Sequence, residues 1–162
     1  MIGAMIILLV VIGVFVGFRR LTSSQPSSAV QTVGYHQDAK FARQAVHYTL
    51  LAPPRLPAGW RATTVQYTSG PTEHWHLGVL TNQNRYVGLE QALEPESSMV
   101  HTYVDNGAAR SGTVHVAGHT WTTYKDSIGD LALVRQEGKA VTLVVGHEVS
   151  RPTLEKYLAS LR

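Results

Sequence analysis

"MIGAMIILLVVIGVFVGF", residues 1–18, carries neither a charge nor a polar period, whereas much of the last third alternates apolar with polar positions. Wound as a helix, the first stretch is about 27 Å long, against a bilayer core of roughly 30 Å. It predicts a single-pass transmembrane anchor, and its interior glycines fit, being common in membrane helices. A cleaved signal peptide is the competing reading, but that calls for a basic start, a shorter core and a nearby small-residue cleavage site. Here Arg19-Arg20 follow the core directly, and the candidate site Ser27-Ser28-Ala29 lies well past it. A helix laid on a soluble core would show a polar side, and this run has none.

Residues 21–33, "LTSSQPSSAVQTV", are uncharged and rich in Ser, Thr and Gln, the composition of a flexible tether. The expected organisation is therefore an anchor at 1–18, a tether at 19–35 and a globular domain at 36–162. Within the domain, "DAKFARQAV" (38–46) sets Phe41, Ala42, Ala45 and Val46 along one side of a short helix. "LLAPPRLPAGWR" is broken by three prolines and a glycine, with Trp60 expected to pack against the fold. Strand-like runs follow at 61–68, 74–81 and 85–93, the second and third separated by a turn at Asn82–Asn84. A short helix is expected within 95–107, with Pro95 near its start and Gly107 past its end.

"TVHVAGHTWTTY" reads as a hairpin turning at Ala117–His119, with Val114, Val116 and Trp121 on one face. "LALVRQEGKAVTLVV" reads as a second hairpin turning at Glu137–Lys139. Ala132, Val134, Val141, Leu143 and Val145 share one of its faces, and Leu131, Leu133 and Val144 the other. Apolar residues on both faces predict a central place in a sheet. The terminal "SRPTLEKYLASLR" offers Ser150 as N-cap, Pro152 in the first turn, and a stripe of Leu154, Tyr157, Leu158 and Leu161. Fold class follows: α+β, a twisted antiparallel sheet of five to seven strands with the C-terminal helix packed on one face, behind one membrane helix.

Composition narrows the function classes. Removing Arg19 and Arg20 leaves 12 basic against 11 acidic residues, and the basic ones are scattered, so no nucleic-acid groove is expected. The chain has no cysteine, hence no lipobox, disulfide framework or thiolate metal site.

"LPAGWR", "YVGLEQ", "VHVAGHTWTTY", "LALVRQEGKAVTLVV" and "LEKYLASLR", in this order behind an apolar segment and a polar tether, resemble the actinobacterial membrane proteins grouped as domain of unknown function 4245. The resemblance spans nearly the whole chain and rests most on "LPAGWR" and "GHTWTTY". It implies a single-pass protein with its C-terminal domain outside the cytoplasm, and it implies no activity and no catalytic residue. It also leads one to expect a charged leader, whereas here the apolar run begins at Met1. Taken alone, Arg19-Arg20 predict a cytoplasmic C-terminal domain by the positive-inside rule. The polar tether and the resemblance favour the outside, which is the expectation adopted.

Eight histidines are the one compositional excess. His74 and His76 in "EHWHLG" point the same way on a strand and could give zinc two ligands. Glu73, His101, His115, His119 and His147 are candidate thirds, and nothing in the sequence chooses among them, so no metal residue is assigned. No serine-hydrolase elbow is present, and "GHEVS" (146–150) is better explained by Ser150 as a helix cap. Glu90 stands out for its apolar neighbours, while Glu94, Glu96 and Glu148 read as surface charges, and Asp126 and Asp130 as turn residues. No phosphate-binding glycine loop precedes a helix.

The expectation is an anchored, extracytoplasmic, non-catalytic domain that needs no cofactor and binds a protein or another envelope component. Its partners are the membrane, through residues 1–18, and a protein of the envelope or membrane, not nucleic acid. The alternatives are a His-rich metal-binding protein or small hydrolase, and an accessory subunit packing through Gly13-x-x-x-Gly17.

Overall fold

The computed structural model describes residues 31–162, and the folded unit runs from Thr32 to Arg162. The anchor at 1–18 and residues 19–30 of the tether lie outside the described residues, as does Gly13-x-x-x-Gly17. Among the described residues no helix is long and apolar enough to cross a membrane. Four residues assigned by composition to the tether belong to the folded unit. The Val33 amide donates to the Ala62 carbonyl (2.9 Å), and Tyr35 is buried with its hydroxyl on the Pro53 carbonyl (2.8 Å).

The elements are α1 (His36–Ala45), β1 (Arg61–Thr68), β2 (His74–Leu80), β3 (Tyr86–Ala92), α2 (Glu96–Tyr103), β4 (Ala109–Val116), β5 (His119–Lys125), β6 (Leu131–Glu137), β7 (Ala140–Gly146) and α3 (Arg151–Ala159). The strands form one antiparallel sheet in the order β1-β2-β3-β7-β6-β5-β4. β1–β3 make one meander. The chain then crosses a sheet face through α2, starts again at the far edge with β4, and works back until β7 pairs with β3.

That return explains why the second hairpin is apolar on both sides. β7 is the middle strand, buried throughout, with covered faces above and below. Leu131, Leu133 and Val144 join Trp75, Leu77, Val79 and Leu89 beneath α1 and α3. Ala132, Val134, Val141, Leu143 and Val145 pack against Met99 and Val100 of α2. The period-two reading of both faces is therefore correct, as is the hairpin face of Val114, Val116 and Trp121. The first hairpin closes on Ala117 and Gly118, both at positive φ (51° and 81°), the conformation of a two-residue turn matched to strand twist.

The stripe of α3 lies on the sheet, with Leu154, Tyr157, Leu158 and Leu161 all buried. Gly146 allows that approach. A Cβ there would sit 2.8 Å from Leu154 Cδ2 and 2.9 Å from Val149 Cβ, closer than atoms tolerate. Ser150 stands at the cap position, but its hydroxyl meets Thr153 Oγ1 (2.8 Å) and makes no bond to a backbone amide. α1 departs from expectation in its face. Ala39 and Ala42 are buried, whereas Phe41 is 64 % exposed and meets Tyr67 edge-on at 6.2 Å. The small alanines let the helix backbone come close, and a phenylalanine on that side would hold it away.

One buried side chain holds residues 49–51 of the irregular segment before β1. Gln91 of β3 accepts from the Leu51 amide (2.6 Å) and donates to the Thr49 carbonyl (3.1 Å) and Thr142 Oγ1 (3.0 Å). Beyond this clamp the chain runs through Pro53–Trp60, where Trp60 stacks on Tyr157 with ring centroids 5.5 Å apart.

Candidate functional site

His74 and His76 do point from one face of β2, and the residue they meet is Glu90, opposite His76 on β3. Glu90 Oε2 lies 2.8 Å from His74 Nε2, and Oε1 lies 2.6 Å from His76 Nδ1. The carboxylate is 2 % exposed, so each oxygen needs a partner, and each histidine supplies one. An ionised carboxylate only accepts, so the facing ring nitrogens are the donors. Tyr103 of α2 stacks on His74 at 5.3 Å. Gly78 and Gly88 face each other across the same strands, leaving room for the Tyr86 ring, whose hydroxyl would be 3.0 Å from a Cβ at Gly88. Burial, and then the Glu90 charge, push the Tyr86 hydroxyl up to about 12. On its other side Tyr86 meets His147 at 5.5 Å, and His147 pairs through Nδ1 with the buried Asp130.

A polar row thus crosses the face beside α2, from Tyr103 to Asp130. Its chemistry is that of a satisfied network. Both Glu90 oxygens are spent on histidine donors, and the ring nitrogens left over point away from the shared carboxylate. Among the described residues no group of three or more His, Asp or Glu side chains is placed to hold a metal ion.

The other candidates disperse. Glu73 binds His47 instead, accepting from its backbone amide (2.8 Å) and pairing with its ring. The amide, and then the ring, hold the Glu73 carboxyl below the usual carboxylate range. His101 is exposed on α2, and His115 and His119 are exposed on the β4–β5 hairpin. Ser150 faces Thr153 while His147 faces Asp130, so "GHEVS" forms no nucleophile–base pair. Asp126 accepts three backbone amides, those of Ile128, Gly129 and Asp130, as a turn residue should. Glu94 accepts from Ser98 (2.9 Å), Glu96 from Tyr124 (2.6 Å), and Glu148 pairs with Arg85.

The feature that the sequence reading passed over lies where the chain enters the domain. A cleft of about 480 Å³ opens between residues 32–36 and 54–62. Its apolar walls are Val33, Leu56 and the Trp60 indole, the last held against Tyr157. Its polar side chains are Thr32, Tyr35, His36, Arg55 and Arg61, and among the described residues no carboxylate lines it. Arg61 is steadied by donating to Asn84 Oδ1 (2.8 Å), and His36 Nε2 lies 3.2 Å from the Pro54 carbonyl. The cleft falls in the range of roughly 300–1,000 Å³ typical of small-ligand sites.

One signal could have found it. Residues 1–62 hold six of the basic residues and one acidic residue, Asp38, whereas residues 63–162 hold eight basic and ten acidic. The near-neutral total conceals this division.

The chain matches, over residues 1–161, the family described as "Protein of unknown function (DUF4245)", and it belongs to that family. No curated protein and no solved structure matches it.

Proposed function

We propose that this member of the family is a membrane-attached binding domain, and that its ligand occupies the cleft between residues 32–36 and 54–62. The reading is of a folded unit on the extracytoplasmic side, anchored by residues 1–18. Support for the anchor is the uncharged apolar run and the Arg19-Arg20 that follow it. The observation that carries the binding reading is the lining of the cleft: aromatic and aliphatic walls, two guanidinium groups, an imidazole and no acid. That mixture of apolar surface with a few convergent polar groups is what a binding site requires. A catalytic reading has less to draw on, because the histidine row is consumed by its own internal bonds.

Photo-crosslinking in intact cells tests this. Benzoylphenylalanine replaces Leu56 in the cleft or, as a control, Ile128, which is 84 % exposed on the β5–β6 loop. A discrete adduct from position 56 and none from 128 is expected. No adduct at 56, or equal labelling at both, would overturn the proposal.

A further inference from the structure

The cleft's chemistry narrows its ligand. We infer that it receives the phosphate-bearing headgroup of an anionic lipid, drawn from the bilayer to which residues 1–18 attach the chain; this rests on the binding reading above. Arg55 and Arg61 are lining residues, and a guanidinium offers a planar fork of N–H donors suited to phosphate oxygens and is less strongly hydrated than ammonium. With no carboxylate among the described lining residues, no like charge there repels a phosphate. Arg61 spends one terminal nitrogen on Asn84, a neutral acceptor, and so keeps its charge for a ligand.

The apolar side fits the same molecule. Val33, Leu56 and Trp60 form a wall next to the cationic groups, as a glycerol backbone and first methylenes need. Tryptophan is also the side chain that favours the headgroup level of a bilayer. A soluble anion would have no use for that wall.

Chain length supports this source. Thirteen residues, 19–31, separate the end of the apolar run from the first residue of the folded unit. Their contour length keeps the cleft within about 50 Å of Phe18. The charge division described above places a basic excess in this part of the chain, the sign that an anionic headgroup requires.

The test uses the full chain in neutral maltoside micelles, titrated calorimetrically. The probes are dihexanoyl-phosphatidylglycerol, dihexanoyl-phosphatidylcholine and inorganic phosphate. Saturable one-to-one binding of the phosphatidylglycerol is expected, at least tenfold tighter than either other probe. Arg55→Gln with Arg61→Gln should weaken it about twenty-fivefold, from roughly fivefold per basic group near an anionic lipid. Arg110→Gln with Lys139→Gln, outside the cleft, should leave it unchanged. Circular dichroism checks the folding of each variant, and Arg55→Lys with Arg61→Lys keeps charge while losing the fork.

If the glutamine pair does not fold, the lysine pair decides: it should retain the preference for phosphatidylglycerol with reduced affinity. Equal affinity for the two lipids would remove the charge readout and overturn the inference. Phosphate binding as tight as phosphatidylglycerol would make this a free-anion site and also overturn it. So would an undiminished affinity in the variants. A non-lipid adduct from position 56, with no lipid preference in the titration, would leave the binding reading standing and the lipid inference refuted. Loss of both signals would refute both.

Discussion

Replacing Gln91 with methionine probes the clamp on the irregular segment before β1. The two side chains are similar in length and volume, so packing is nearly conserved and the hydrogen bonds are what is lost. The Leu51 amide, bonded at 2.6 Å, is left without a partner in a half-buried position, which costs about 1–2 kcal/mol. The Thr142 hydroxyl, 3.0 Å away in the buried sheet, adds about 1 kcal/mol. The Thr49 carbonyl belongs to an exposed residue that water can reach, so its share is about 0.5 kcal/mol. The sum is about 3 kcal/mol. A folded unit of this size has a total stability of about 7–20 kcal/mol, so the loss is large but survivable. Urea unfolding of the full chain in neutral micelles, followed by tryptophan fluorescence, measures it as a lower midpoint at unchanged slope. Gln37→Met, on the exposed side of α1, serves as control and should stay within about 0.5 kcal/mol of the parent. A Gln91→Met loss below that same value would refute the reasoning, because these three bonds would then contribute little to stability.

Tyr157 is buried and stacked on Trp60, and among the described residues its hydroxyl has no hydrogen-bond partner. Tyr157→Phe should therefore raise stability by about 1 kcal/mol, and a comparable loss in the same urea assay would refute the idea that this hydroxyl is unsatisfied. The Glu73 carboxyl is held below its ordinary range by the amide and ring of His47, so its stabilisation is complete above the unfolded value and disappears as pH falls through the folded one. Glu73→Gln should flatten the acid limb of a melting-temperature profile and leave its alkaline limb alone; an unaltered acid limb contradicts this. Full-length protein should sediment with membranes on ultracentrifugation, and a chain lacking residues 2–18 should remain in the supernatant. Co-sedimentation of the shortened chain would move the attachment elsewhere.

Much of the sheet was legible because a strand reports its environment directly. The alternation in residues 131–145 names two faces, and only a strand covered on both sides can afford apolar groups on each. The C-terminal stripe was equally plain, since four apolar residues at helical spacing leave one consistent orientation. In α1 the same rule misled, because it weighed Phe41 as the largest apolar residue when backbone proximity selected the alanines.

Glu90 drew notice, but its bonds to His74 and His76 depend on strand register, which no local pattern contains. The cleft was hidden for another reason. Its two walls come from segments about twenty residues apart, both rich in turn-forming or small residues, and neither carries a periodicity.

The position of β7 has a consequence for how the protein is made. The strand that joins the two meanders follows both of them in sequence, so until residues 140–146 are available β3 lacks its neighbour and β4–β6 have nothing to dock on. Pairings of such long sequence separation form slowly. The two meanders should therefore stay unjoined until residues 140–146 are available, which leaves apolar strands open to holdase chaperones meanwhile.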